Sequence, residues 1–231
     1  MNYLLLIIIQ IIILIIFLFI NNNLKFIDKF SNSNKICIIL TTYINSKEKE
    51  KMYLERVKKW LKTGIDIYLV DSNNKGLPIV NKKYHQYLFD QSKEKYFNKN
   101  SNNSTLLEIK SLIKIINYYQ LTNKYDYIYK ITGKYYIKEY NNLYILPEKK
   151  YDIINQYRSH KGWNNSEIVG FHSSKIINLL NNILNMNGVF EKGLGTLKKN
   201  KNIKIKKLQP LTVVKCSYFA KRNIGDTLYK L

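Results

Sequence analysis

Two cysteines, three histidines and three prolines in 231 residues remove several classes of protein at the outset. Cys37 and Cys216 stand far apart, so neither a disulfide framework nor a zinc-ligand spacing can be built from them. His85, His160 and His172 are equally dispersed, which argues against a His/Cys metal centre. Scarce proline, together with an aromatic content of 13%, argues against disorder over most of the length. Acidic residues are also few, 16 against 38 lysines and arginines, which leaves a formal charge of +22. No Asp-x-Asp pair occurs, so the adjacent carboxylates that hold a bridging magnesium ion are missing, and Asp71-Ser72-Asn73 supplies a single one. Glycine-rich phosphate loops are lacking as well. No Gly-x-Gly-x-x-Gly follows the first strand, and Thr132-Gly133-Lys134 has neither the glycine loop nor the trailing Ser or Thr of a P-loop.

What is abundant needs equal care. Lys, Asn, Ile and Tyr are enriched together, and all four have codons rich in A and T, so base composition accounts for much of the basicity. The lysines are scattered, and no helix or ribbon carries arginine at base-reading spacing, so no nucleic-acid partner is expected. One long apolar run is present, residues 3–20, interrupted only by Gln10. As a helix it would extend about 27 Å, close to the thickness of a bilayer core. The expectation is an N-terminal transmembrane anchor over 1–22, a polar linker over 23–34 and one domain over 35–231. A cleaved signal peptide fits less well, because no basic residue precedes the run and 21–23 offers no small residue for cleavage. Lys25, Lys29 and Lys35 follow the run, which by the positive-inside rule favours a cytosolic domain.

The domain alternates strand and helix. The run 35–43, KICIILTTY, reads as a strand buried on both faces. Tyr53, Leu54, Val57, Trp60 and Leu61 then recur at three-four spacing, an amphipathic helix with Gly64 as its C-terminal cap. A second strand ends at Asp71, a weaker third covers 85–92, and a helix over 104–121 carries Leu106, Ile109, Leu112, Ile113, Ile116 and Tyr119 on one side. Thr105 and Glu108 stand in capping-box register at its start. A strand from Tyr125 to Thr132 completes a doubly wound half, so the predicted class is α/β with a Rossmann-type, mainly parallel sheet. Strands at 151–157 and 167–173, helices at 174–188 and 188–200, and a strand pair at 203–208 and 211–216 follow.

In such sheets ligands sit beyond the C-terminal ends of the strands, where Thr41, Thr42, Asp71, Lys130 and Gly133 fall. Asp71 either accepts hydrogen bonds from a base or ribose or closes an Asx-turn with Ser72 and Asn73. Thr41 and Thr42 either touch a nucleotide or cap their strand. Lys130 and Lys134 flank Thr132-Gly133, and the alternative to a binding role is a hairpin with solvated lysines.

The ordered segments ILTTY, YLVDSN, YKITGKYYI, WNNSEIVGF and FEKGL, with a capped helix bearing an internal Glu, resemble GT-A-type glycosyltransferases of the kind that lack the acidic metal motif. In these a Lys-x-Thr-Gly-(Arg or Lys)-Tyr segment stands in its place. The resemblance covers roughly 35–211 and implies a nucleotide-binding half over 35–135 and an acceptor half over 136–231. It implies a nucleotide-sugar donor, a glycan, protein or lipid acceptor, and no divalent metal or other cofactor. Lys130, Thr132, Gly133, Lys134, Thr41, Thr42 and Asp71 would bind the donor, with the lysines offsetting charge on the departing diphosphate. Glu191 and Glu167 are the implied general-base candidates, and Trp163 and His160 an implied stacking surface for the acceptor. Family analogy puts the domain in an ER- or Golgi-type lumen, against the charge bias. A nucleotidyltransferase and an inactive anchored structural protein are the alternatives on the same fold.

Overall fold

The computed structural model describes residues 11–15, 34–95, 104–144, 150–157, 164–186, 189–208, 211–216 and 226–230. A strand with no polar alternation must be covered on both faces, and β1 (Ile36–Thr42) lies within a seven-stranded sheet with its first five residues buried. Helix α1 (Lys47–Leu61) starts at Ser46, whose side chain accepts the Lys49 N–H. Glu48 and Glu50 in its first turn and Lys58 and Lys59 in its last complement the helix dipole. Gly64, at φ +78°, takes the left-handed conformation that ends the turn. β2 (Asp66–Asp71) pairs with β1 in parallel, and β3 (Tyr84–Leu88) pairs with β2 in parallel. Helix α2 (Ser104–Tyr119) crosses back, and β4 (Tyr127–Thr132) pairs with the other side of β1, also in parallel.

The sheet order is β3-β2-β1-β4-β7-β6-β8, where β6 is Ile153–Tyr157, β7 Asn164–His172 and β8 Ile205–Lys207. β7 runs antiparallel to both its neighbours, and β8 parallel to β6. The chain is therefore mixed α/β around a mainly parallel sheet. Strand alternation divides the core. Ile38, Leu40, Tyr129 and Ile131 face α1, with Val57 and Trp60. Cys37, Ile39 and Ile128 face α2, α3 (Ser173–Asn185) and α4 (Phe190–Leu197).

Several sequence expectations change. The single-pass anchor over 1–22, and with it the membrane localisation, is not supported: among the described residues no helix is long and apolar enough to cross a membrane, and within that run only 11–15 is described, as helix. The expected strand pair at 203–208 and 211–216 does not form, because β8 joins the large sheet while β9 (Thr212–Cys216) joins a separate antiparallel sheet of order β10-β9-β5. β5 (Tyr135–Ile137) and β10 (Asp226–Lys230) are short elements that hydropathy does not single out. β5 pairs with β9, not with β4, so Thr132-Gly133-Lys134 is a passage between two sheets and not a hairpin tip. The capping box also fails. Thr105 lies inside α2 and accepts the Phe190 N–H of α4, while Glu108 reaches across to the sheet.

Candidate active-site cleft

From β1 the chain winds outward through β2 and β3, then returns to place β4 on the opposite side of β1. The crossover helices α1 and α2 consequently cover opposite faces, and they diverge at the C-terminal ends of β1 and β4. That divergence is the topological switch point, where open α/β sheets hold ligands. A cleft of about 490 Å³ lies there, within the usual size of a small-molecule site. Thr41, Thr42 and Tyr43 line it from β1 and its loop, and Thr132 and Lys134 from the end of β4. α1 contributes Lys49, Met52 and Tyr53, and α2 contributes Ser104 and Glu108 near its start. Both helices thus bring their N-terminal turns to the cleft, with the partial positive charge of their free N–H groups. Burial pushes the Tyr53 phenol above its ordinary range, so it lines the wall as a neutral hydroxyl.

Gly133 sets how closely the two strands converge. Its N–H donates to the Thr41 carbonyl at 2.9 Å. A Cβ at this position would lie 2.5 Å from Thr42 Cγ2, 3.0 Å from the Thr41 oxygen and 3.2 Å from Tyr53 Cδ1. α1 fixes the residues that follow: Arg56 Nε donates to the Lys134 carbonyl at 3.2 Å and Trp60 Nε1 to the Tyr135 carbonyl at 3.0 Å. The turn cannot move away from an added methyl group without breaking these contacts. Gly133→Ala is expected to lower stability by about 1–3 kcal/mol, read as a fall in the urea midpoint at constant m-value. An unchanged midpoint would mean that the turn yields without cost.

Of the expected donor-binding residues, Thr41, Thr42, Thr132 and Lys134 line the cleft, whereas Lys130 and Asp71 lie beneath it. Lys130 is 2% exposed. Its Nζ sits 2.6 Å from Glu108 Oε1, donates to the Ser166 carbonyl at 2.5 Å and lies 3.4 Å from Thr132 Oγ1. An ammonium has three protons, and all three are taken. The expectation that Lys130 meets the diphosphate is corrected by this geometry, since its charge is answered inside the protein. Asp71 is fully buried. Its Oδ2 accepts from Ile44 N–H (2.8 Å) and Thr42 Oγ1 (3.0 Å), and its Oδ1 from the N–H groups of Asn73 and Lys75 (3.0 Å each). The Asx-turn alternative is the one observed, with four donors on one carboxylate.

The carboxylates expected on the acceptor side sit on neighbouring elements. Glu191, in the first turn of α4, accepts from Ser166 Oγ at 2.6 Å, and Glu167 Oε1 accepts from the Tyr135 hydroxyl at 2.8 Å. Ser166 therefore joins Glu191 to Lys130, giving its hydroxyl to one and its carbonyl to the other. His160 and Trp163 lie outside the described residues. Sequence reading missed Glu108 as a site residue. The available signal was an acidic side chain set beside the apolar positions Ile109 and Leu112. Among the described residues no group of three or more His, Cys, Asp or Glu could hold a metal ion.

No protein-family model matches the chain, and no curated protein sequence matches it. Among solved structures, similar ones include a glycosyltransferase involved in the glycosylation of the major capsid of PBCV-1, with a TM-score of 0.45, 10% identity and coverage of 74% of this chain and 81% of that one. A cytidylyltransferase from Leptospira borgpetersenii serovar Hardjo-bovis has a TM-score of 0.44 and 13% identity over 84% of this chain and 82% of the other. Likeness of this degree carries no functional weight.

Proposed function

We propose that this chain is a GT-A-like glycosyltransferase that binds a nucleotide sugar in the switch-point cleft and transfers the sugar to a hydroxyl of a glycan, protein or lipid. The observation that supports the reading most is the pair of lysines at the cleft: Lys134, held by α1 at the exit from β4, and Lys49, in the first turn of α1. Bond cleavage at the anomeric carbon leaves a nucleoside diphosphate that gathers negative charge, and fixed cations beside it lower the barrier without a divalent metal. Thr41, Thr42 and Thr132 supply hydroxyls to the same wall. Gly133 lets the backbone pass close to the phosphates. Glu191 and Glu167 are the general-base candidates for the acceptor hydroxyl, on the neighbouring β7 and α4.

Lys134→Met is expected to weaken binding of a nucleoside diphosphate by roughly tenfold, the effect of one charge-assisted hydrogen bond, and to leave binding of the parent nucleoside unchanged. Lys134→Arg should retain wild-type affinity. The assay is calorimetry with UDP, GDP, ADP and CDP, followed by turnover with the matching nucleotide sugars in the presence of EDTA. Release of nucleoside diphosphate under chelation supports the proposal. Release of pyrophosphate from a nucleoside triphosphate would make the chain a nucleotidyltransferase, and no binding to any of the four would remove the nucleotide reading altogether.

A further inference from the structure

The carboxylate on the cleft wall is unevenly occupied. Glu108 Oε1 takes both donors, the Lys130 ammonium at 2.6 Å and, more weakly, the Thr41 hydroxyl at 3.2 Å. Among the described residues Oε2 takes none, and the Glu108 side chain keeps 25% exposure although its partner Lys130 has 2%. The two donors come from adjacent strands, β1 and β4, which run in register with Thr41 opposite Thr132. Glu108 is thereby held through one oxygen to two adjacent inner strands of the sheet, and its side chain lines the cleft. An ionised carboxylate only accepts hydrogen bonds, so the group it meets must be a donor. It repels phosphate. Lys49 and Lys134 attract phosphate into the same cleft.

A ligand that satisfies both ends carries anionic groups and hydroxyls in one molecule. Resting on the nucleotide-sugar reading above, we infer that Glu108 is the hydroxyl-recognising residue of the cleft. Its Oε2 accepts a hydrogen bond from a sugar hydroxyl of the bound nucleotide, and Lys130 is the positioning residue that holds it there. The two lysines of the Lys-x-Thr-Gly-Lys segment then divide their work. Lys134 answers the phosphates directly, whereas Lys130 acts only through Glu108, which explains why a lysine with no access to solvent stands at the end of a central strand. The same hydroxyl chemistry occurs on the ribose and on the transferred sugar, and binding measurements separate them.

Calorimetry on the full chain compares three ligands: a nucleoside diphosphate (UDP, GDP, ADP or CDP, whichever binds best), its 2′,3′-dideoxy counterpart and its nucleotide sugar, with inorganic pyrophosphate as the control. Wild type should prefer the hydroxyl-bearing member of one pair by about tenfold, the effect of one hydrogen bond to a charged acceptor. Preference over the dideoxy compound assigns the ribose, and preference for the nucleotide sugar over the diphosphate assigns the transferred sugar. Lys130→Met should diminish that preference with pyrophosphate affinity unchanged, a change that loss of stability alone would not produce. The double variant Glu108→Gln/Lys130→Met, which removes both charges and so leaves no buried ion alone, should abolish it. A folded double variant that keeps the wild-type preference overturns the assignment, as does a wild type that binds diphosphates with no preference in either pair. Failure of wild type to bind any nucleoside diphosphate overturns the nucleotide reading itself, and this inference with it.

Discussion

Glu108→Gln is expected to destabilise the fold by roughly 3–5 kcal/mol, because it leaves the Lys130 ammonium buried without its counter-charge. Lys130 is 2% exposed, and the carbonyl of Ser166 and the hydroxyl of Thr132 remain as its partners. They take two of its three protons, and the amide oxygen of the introduced glutamine can accept the third, but none of these groups answers its charge. For a domain of this size the loss corresponds to a fall in melting temperature of about 10 °C. The reciprocal change is milder. Lys130→Met leaves Glu108 alone, but the carboxylate is a quarter exposed and can take up water from the cleft. Glu108→Gln/Lys130→Met should recover most of the lost stability, since replacing both members of a buried pair is often close to neutral. Thermal melts of the three variants check the order. Equal destabilisation by the two single changes would mean that Lys130 reaches solvent, and the ion pair would then be an ordinary surface one.

The second large effect is expected at Asp71. Its carboxylate ties together two stretches that border the cleft: Thr42 and Ile44 at the end of β1 and just beyond it, and Asn73 and Lys75 after β2. An asparagine has one accepting oxygen, so whichever way its amide turns, an NH₂ group faces backbone N–H donors. With the NH₂ toward Asn73 and Lys75 two hydrogen bonds are lost, and with it toward Ile44 and Thr42 one is, since the Thr42 hydroxyl can accept while giving its proton to the Val70 carbonyl. At about 1–2 kcal/mol for each unsatisfied buried donor Asp71→Asn should cost roughly 1–4 kcal/mol. On the proposed nucleotide reading, affinity should fall with it, because Thr42 and Tyr43 form part of one wall of the cleft. The measurement is a urea titration alongside calorimetry. Weakened nucleotide binding with an unchanged urea midpoint would give Asp71 the direct nucleotide contact that its position at a strand end first implied.

The elements that sequence alone determined are those whose code is local. β1 is legible because five consecutive apolar residues leave no face for water, and α1 and α2 because three-four spacing admits no other regular structure. Their alternation dictates parallel pairing, and parallel pairing puts Thr41, Thr42 and Thr132 at one end of the sheet. The switch-point cleft therefore follows from element order. Tertiary structure decided which side chains enter it. Lys130 and Lys134 read alike in the chain, yet one turns under α2 to a carboxylate 22 residues upstream and the other lies on the cleft wall. Periodicity gives the face of a strand but not what covers that face. β5, and the pairing of β9 with it, were beyond reach for a related reason: the three residues of β5 carry little pattern, and the contact between the two strands is made over some eighty residues of chain. Asp71 had the composition of a binding residue and the environment of a structural one, because four donors from the end of β1 and the two following loops converge on it only after β1 and β2 have paired. Charge and hydrophobicity belong to the residue, but whether a charge is answered from inside the protein or by a ligand depends on neighbours that only the folded chain supplies.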